Sequence, residues 1–326
     1  MRSPLLLAAA LAIAPLSGAQ AQEPGAEGAR TFPTRPVRVV VPFTPGGTND
    51  ILGRFIAAKL TERLGRQVVV ENRPGADGII GSDTVAKAPP DGHTLLVSSV
   101  SFAMNAALHK LPYDPVASFA PIAQIGIGPS VLATTPSLPV NSVKQLIALA
   151  RARPGQLNYA SSGIGGVSHF GGELFKLATG TSIVHVPYKG GTPAMTDVMA
   201  GQVEVLFNAL PSALPFIRSG RLKALGVGSL KRTPALPETP AVAETVPGYE
   251  SVLWWGMQAP AGVPPAIVAR LNAEIGAILR EPETSKRLSA DAAQPVIVSP
   301  EVFGKLVADD VVKWAKVAKT AGIKAQ

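Results

Sequence analysis

Val37-Arg38-Val39-Val40-Val41-Pro42-Phe43-Thr44-Pro45-Gly46-Gly47-Thr48-Asn49-Asp50 holds a strand, a turn and a helix start in fourteen consecutive residues. The branched run Val37 to Val41 is nearly continuous, the pattern of a strand buried on both faces of a mostly parallel sheet. Pro42 to Gly47 cannot extend that strand. Beyond it, Ile51, Leu52, Phe55, Ile56, Leu60 and Leu64 fall on one helical face, and Gly65 stops the helix. A strand feeding a helix through a glycine turn is the unit of an α/β fold.

The unit recurs along the chain. Gln67 to Glu71 and Thr94 to Ser99 read as further strands, with Gly75, Gly78 and Gly81 marking the turn between them. The pattern restarts about 115 residues after the first unit. A helix capped by Asn141 runs through Ala152, followed by a strand at Leu157 to Ala160 and the turn Ser161-Ser162-Gly163-Ile164-Gly165-Gly166. A helix from Ser168 to Leu177 comes next, then strands at Ile183 to Val186, Val203 to Phe207 and Leu222 to Val227, with a helix at Ala213 to Arg218. Prolines crowd Thr233 to Pro247 into a loop-rich return path. The final third reads as helices at Pro264 to Leu279, Glu283 to Ala290 and Val302 to Ala318. In the last of these, Phe303, Leu306, Val307 and Trp314 form a core-facing stripe. Two strand–turn–helix units so far apart predict two α/β lobes rather than a short-period repeat. In open parallel sheets ligands bind beyond the carboxyl ends of strands, where helix amino ends point.

Each turn offers backbone amides at a helix start, and these carry partial positive charge that suits a carboxylate. The candidate donors are the amides of Gly47, Thr48, Gly163 and Gly165, assisted by the Thr48 and Ser162 hydroxyls. An ordinary capped helix start explains Pro45 to Asp50 equally well at this level. No Gly-Lys-Ser/Thr closes that turn, so it is not a nucleotide P-loop. Gly163, Gly165 and Ser168 spell only a broken dinucleotide fingerprint. Gly166-Val167-Ser168-His169-Phe170-Gly171 misses the hydrolase elbow by one residue, and Ser168 and His169 diverge by about 100° on a helix. A secreted serine esterase using Ser162 or Ser168 is the rival reading, and a solute sensor feeding a membrane regulator is another. Four histidines, His93, His109, His169 and His185, lack metal-site spacing, and no metal or cofactor is expected.

Residues 1–21 read as a secretory leader cleaved after Ala21: Arg2, the apolar Leu5 to Leu16, then Ala19-Gln20-Ala21. Residues 22–33 read as a disordered lead-in. No later segment reaches the roughly 20 apolar residues that a membrane span needs. The chain has no cysteine. That removes disulfides, a thiol nucleophile and the lipid anchor of a lipoprotein, leaving periplasmic retention as the expected location. The formal net charge of +8 becomes +7 once Arg2 leaves with the leader. Lys and Arg are scattered singly, with Lys231-Arg232 the longest cluster, so the charge is no nucleic-acid footprint.

From Arg35 onward the chain resembles the periplasmic solute receptors of tripartite tricarboxylate transporters, the Bug receptors. The residues carrying the resemblance are Val41-Pro42-Phe43 with Pro45-Gly46-Gly47 and Asp50, Val70-Glu71-Asn72-Arg73-Pro74-Gly75-Ala76, and Asp91-Gly92-His93-Thr94. Then come Tyr159-Ala160-Ser161-Ser162-Gly163 with His169, Gly172 and Glu173, and His185-Val186-Pro187-Tyr188-Lys189-Gly190. Gly201-Gln202-Val203, Gly220-Arg221-Leu222-Lys223-Ala224-Leu225, Trp254 with Gly256, and Ala259-Pro260 complete it. The resemblance implies an α/β Venus flytrap, the two-lobed periplasmic-binding-protein fold, crossed twice by the chain. Lobe 1 would comprise residues 34–131 and 253–326, and lobe 2 residues 132–252. It further implies a non-enzymatic, monomeric receptor that hands a small carboxylate to one large and one small membrane subunit. Its ligand-binding residues would be Phe43, Gly46, Gly47, Thr48, Asn49, Asp50, Ser98, Ser101, Ser161, Ser162, Gly163, Ile164, Gly165, Gly166 and Asn208, with the whole stretch Ser98 to Ser101 lining the cleft. Ile164 and Gly166 stand where family members often carry polar side chains, a departure that weighs against a strongly polar tricarboxylate or amino-acid ligand.

Overall fold

Branched, apolar runs become strands, and the sheet they build explains why the chain must cross between two bodies. The structure is a computed structural model and describes residues 31–323; the leader and residues 22–30 lie outside that range. Strands β1 (Val37–Val41), β2 (Val68–Asn72) and β3 (Thr94–Ser99) pair in parallel with β1 in the middle. Helices α1 (Thr48–Leu64), α2 (Ile79–Ala86) and α3 (Val100–Leu108) connect or follow them. Val39, Val40, Val41, Leu95, Leu96 and Val97 are fully enclosed, as strands covered by helices on both faces must be.

A 16-residue strand, β4 (Phe119–Thr134), then leaves this sheet for a second one. Its first part pairs antiparallel with the later strand β9 (Val252–Pro260), which also pairs β3. From Ser130 onward it pairs instead with β7 (Val205–Ala209) and β8 (Lys223–Val227). The second sheet continues through β5 (Asn158–Ser161) and β6 (Val184–Pro187), both parallel to each other. Helices α4 (Val143–Ala152), α5 (Val167–Thr179), α6 (Gly191–Met199) and α7 (Leu210–Arg218) flank it. Two hydrophobic clusters cover its two faces, while one larger cluster serves the first lobe. The chain returns near Ser251, where Ser130 N bonds Ser251 O, Ser251 N bonds Gly228 O, and Gly228 N bonds Ser130 O. Three backbone bonds thus tie the two crossings together.

The C-terminal part belongs to the first lobe. Helices α8 (Pro265–Arg280), α9 (Pro282–Ala290) and α10 (Pro300–Ala321) pack there, with a short strand β10 (Gln294–Pro295) on β4.

Two expectations need correcting. The lead-in does not extend to residue 33: Phe32 is 3 % exposed and its ring meets His93 edge-on at 4.9 Å. Its bulk fills core space beside Ile267, a fact that the Gly- and Ala-rich stretch before it masks. The cap of α4 is Ser142, whose side chain accepts from Gln145 N, not Asn141. Asn141 instead donates its backbone amide to Gln145 Oε1. Strands β4 and β9 were also illegible as strands. β4 holds Pro121, Pro129, Gly126 and Gly128, and its partners lie more than 100 residues away.

Candidate functional site

The amino ends of five helices meet at the seam between the lobes. Each follows the carboxyl end of a strand: α1 after β1, α3 after β3, α5 after β5, α6 after β6 and α7 after β7. A cavity enclosing about 460 Å³ of empty space, its mouth included, is lined by residues from all five starts. From the first lobe come Phe43, Thr44, Gly47, Thr48, Asn49, Ser99, Ser101 and Leu253. The second lobe supplies Ser162, Val167, Gly191, Asn208, Ala209 and Ser212. None of these is charged. The first amides of a helix have no intrahelical acceptor, so five such ends sum to a positive potential without any cation.

Side-chain donors are also waiting. Thr44 Oγ1, Thr48 Oγ1 and Asn49 Nδ2 are buried without a hydrogen-bond partner. Buried polar atoms are ordinarily satisfied, so three orphans in one cavity mark a place where an acceptor belongs. Two cations near the turns are occupied elsewhere. Arg54 pairs with Asp50 at 3.0 Å and bonds Asn72, and Lys176 pairs with Glu173 at 2.8 Å. Asp50 also accepts from Gly46 N and Asn72 Nδ2, bracing the first turn from behind. Burial pushes its carboxyl up, but Arg54, the Gly46 amide and Asn72 outweigh burial and hold it below the ordinary value.

Of the residues expected from sequence, Phe43, Gly47, Thr48, Asn49, Ser101, Ser162 and Asn208 line the cavity. Gly46 and Asp50 lie behind the first turn. Ser98 points to Gly256 O at 3.5 Å, and Ser161 is sealed against His185 Nε2 at 2.6 Å. Gly163, Ile164, Gly165 and Gly166 stand outside the cavity, on the seam. The Gly163 and Gly165 amides, expected to face a ligand, bond Ser161 Oγ and His169 Nδ1 instead. Local side chains reach them first. Ser99, within the expected Ser98 to Ser101 stretch, lines it too, whereas Thr44, Val167, Gly191, Ala209, Ser212 and Leu253 were not anticipated. The helix-start rule applied after β6 and β7 would have found Gly191 and Ser212. Leu253 arrives only through the crossing strand.

The histidines behind the second turn add no charge. His169 and His185 stack at 4.2 Å. Burial lowers both, and His185, further opposed by His169 and Lys176, falls to about 3. No cavity serine meets a histidine: Ser162 Oγ bonds Ser168 Oγ at 2.8 Å, and Ser101 Oγ accepts from Val167 N. A serine nucleophile needs a base within hydrogen-bond reach, and these serines have none.

Residues 52–323 match the tripartite tricarboxylate transporter family receptor. BugT of Bordetella pertussis is 38% identical over 300 residues, covering 91% of this chain and 92% of the relative. A protein from the tcbD-tcbE intergenic region of a Pseudomonas species is 40% identical over 288 residues, covering 87% and 86%. Among solved structures, an R. palustris protein with adipate aligns at TM-score 0.88 and 41% identity, covering 90% of this chain and 99% of that one. MatC of Rhodopseudomonas palustris, with bound malate, aligns at 0.84 and 32%, covering 88% and 99%.

Proposed function

This chain belongs to the tripartite tricarboxylate transporter receptor family, and from that premise we propose that it captures a small organic carboxylate between its lobes. One observation carries the reading: five helix amino ends and three unpaired buried donors surround a cavity lined by no charged side chain. Such a site neutralises an anion by aligned amides rather than by a salt bridge. Phe43, Val167, Ala209 and Leu253 provide apolar wall for the carbon body of the ligand. Residues 34–131 with 253–326 act as one lobe and 132–252 as the other. They close about the crossings at Ser130 and Ser251 and then present the ligand to a large and a small membrane subunit. The adipate and malate seen in relatives support a dicarboxylate.

A thermal-shift screen of carboxylates followed by calorimetry tests this. Adipate should bind and its neutral diamide should not. Equal binding of the diamide would remove the anion from the argument. Thr48→Ala and Ser162→Ala should each cost about 0.5–3 kcal/mol, or about 2- to 160-fold in affinity. Arg54→Ala and Lys176→Ala should leave binding in place. The opposite pattern would replace the amide cradle with a salt-bridge site.

Periplasmic delivery gives a separate expectation. The intact mass of periplasmic protein should match residues 22–326, and a mass retaining the leader would refute cleavage after Ala21.

A further inference from the structure

Across the seam from the cavity, Asp77 sits in a strained loop. Gly75, Ala76, Asp77 and Gly78 all have positive φ, at 137°, 47°, 49° and 94°. Two consecutive non-glycine residues in this region are uncommon and persist only where surrounding structure holds them. Asn105 of α3 does so, donating from Nδ2 to Asp77 O at 3.0 Å. The loop delivers the Asp77 carboxyl from the first lobe onto the second lobe's glycine turn. A Cβ at Gly163 would lie 2.8 Å from Oδ1, and one at Gly166 would lie 2.8 Å from Oδ2. Both carboxyl oxygens are buried and neither has a hydrogen-bond partner; Asn105 Oδ1, against Gly165, is also unpartnered.

Three orphaned acceptors at one interlobe contact lack a donor. We propose that Asp77 is a proton-coupled clasp, closing on the second turn as the neutral acid, so that ligand capture takes up one proton. The inference rests on lobe closure as the mode of capture. An ionised carboxylate sealed without a partner is among the costliest groups to bury. Burial accordingly pushes the Asp77 carboxyl well above its ordinary value. The titratable groups on the surrounding elements are His109 at the end of α3, His169 of α5, Asp83 of α2 and Tyr113 beyond α3. None hydrogen-bonds the carboxyl. His109 lies 3.4 Å from Ile164 O, and His169 holds Gly165 N. When the lobes part, the carboxyl meets water and returns to an ordinary value near about 4.

The sign follows. Above about pH 4 the open form is ionised, so closure must bind a proton and affinity falls as pH rises. Calorimetry of adipate binding should be run above about pH 6.5, where adipate remains a dianion. Two buffers of unequal ionisation enthalpy then report the proton count. The natural protein should take up about one proton per adipate, its Kd rising by up to about tenfold per pH unit. Asp77→Asn, whose side chain tolerates the left-handed backbone, should take up none and show a flat profile. Equal proton counts in the two proteins overturn the clasp. So does an affinity that follows sodium or calcium concentration instead of pH. If adipate gives no heat with either protein, the ligand reading fails at that probe, and the proton count is taken with the carboxylate that the thermal-shift screen returns; equal counts in the natural protein and Asp77→Asn there overturn the clasp as well.

Discussion

Gly191→Val should reduce carboxylate affinity by more than about 100-fold, equivalent to more than about 2.7 kcal/mol, with the fold preserved. Gly191 is the first residue of α6 and lines the cavity. A Cβ there would lie 2.8 Å from Asn208 Oδ1 and 3.0 Å from Nδ2. Its backbone is not left-handed, so the substitution strains no dihedral; it fills ligand space and displaces Asn208. Gly191→Ala should show the same effect at smaller size. Calorimetry with the ligand found by the screen, alongside circular dichroism, reads the result. Full affinity in Gly191→Val would place the ligand away from this wall. Gly47 provides a contrast. Its φ is −77° and a Cβ would meet only Thr44 O at 3.6 Å, so a side chain there costs cavity space but no forbidden backbone.

Trp255→Ala should lower unfolding stability by about 3–5 kcal/mol, the range for emptying a large aromatic from a core. Trp255 is 0 % exposed in β9, opposite Ser99 of β3 and Gly126 of β4. Its ring packs over Gly128, where a Cβ would sit 3.1 Å from it. The indole Nε1 is buried without a partner. Trp255→Phe should therefore cost much less, since it loses volume but no hydrogen bond and removes an unsatisfied donor. Urea midpoints for the two variants provide the test. A Phe variant as unstable as the Ala variant would mean the indole bonds something in solution.

The first turn, which lines the cavity, was legible from residues alone because its determinants are local. A valine run, two glycines and Thr48-Asn49-Asp50 specify strand, turn and helix start within fourteen positions. Helix-start amides are unsatisfied wherever they occur. The second turn carried the same local signal in a different setting. Ser161 and His169 take the Gly163 and Gly165 amides, and the turn faces Asp77 across the seam. Nothing within residues 161–166 reports a carboxyl 84 positions earlier at its closest.

The residues in order were enough to give the α/β class, two wound units and the absence of any thiol chemistry. These follow from side-chain period, glycine placement and composition, all read within short windows. Which helix starts share one cavity depends on long-range pairing. Alternate strands must be brought beside each other by β4 and β9, whose partners are set by long-range pairing and not by local propensity. Tertiary structure also decided that Gly191 and Leu253 are cavity wall, and that Asp77 meets Gly163 and Gly166. Contacts of that kind arise from burying two lobes against one another, and no local pattern of hydrophobicity encodes them.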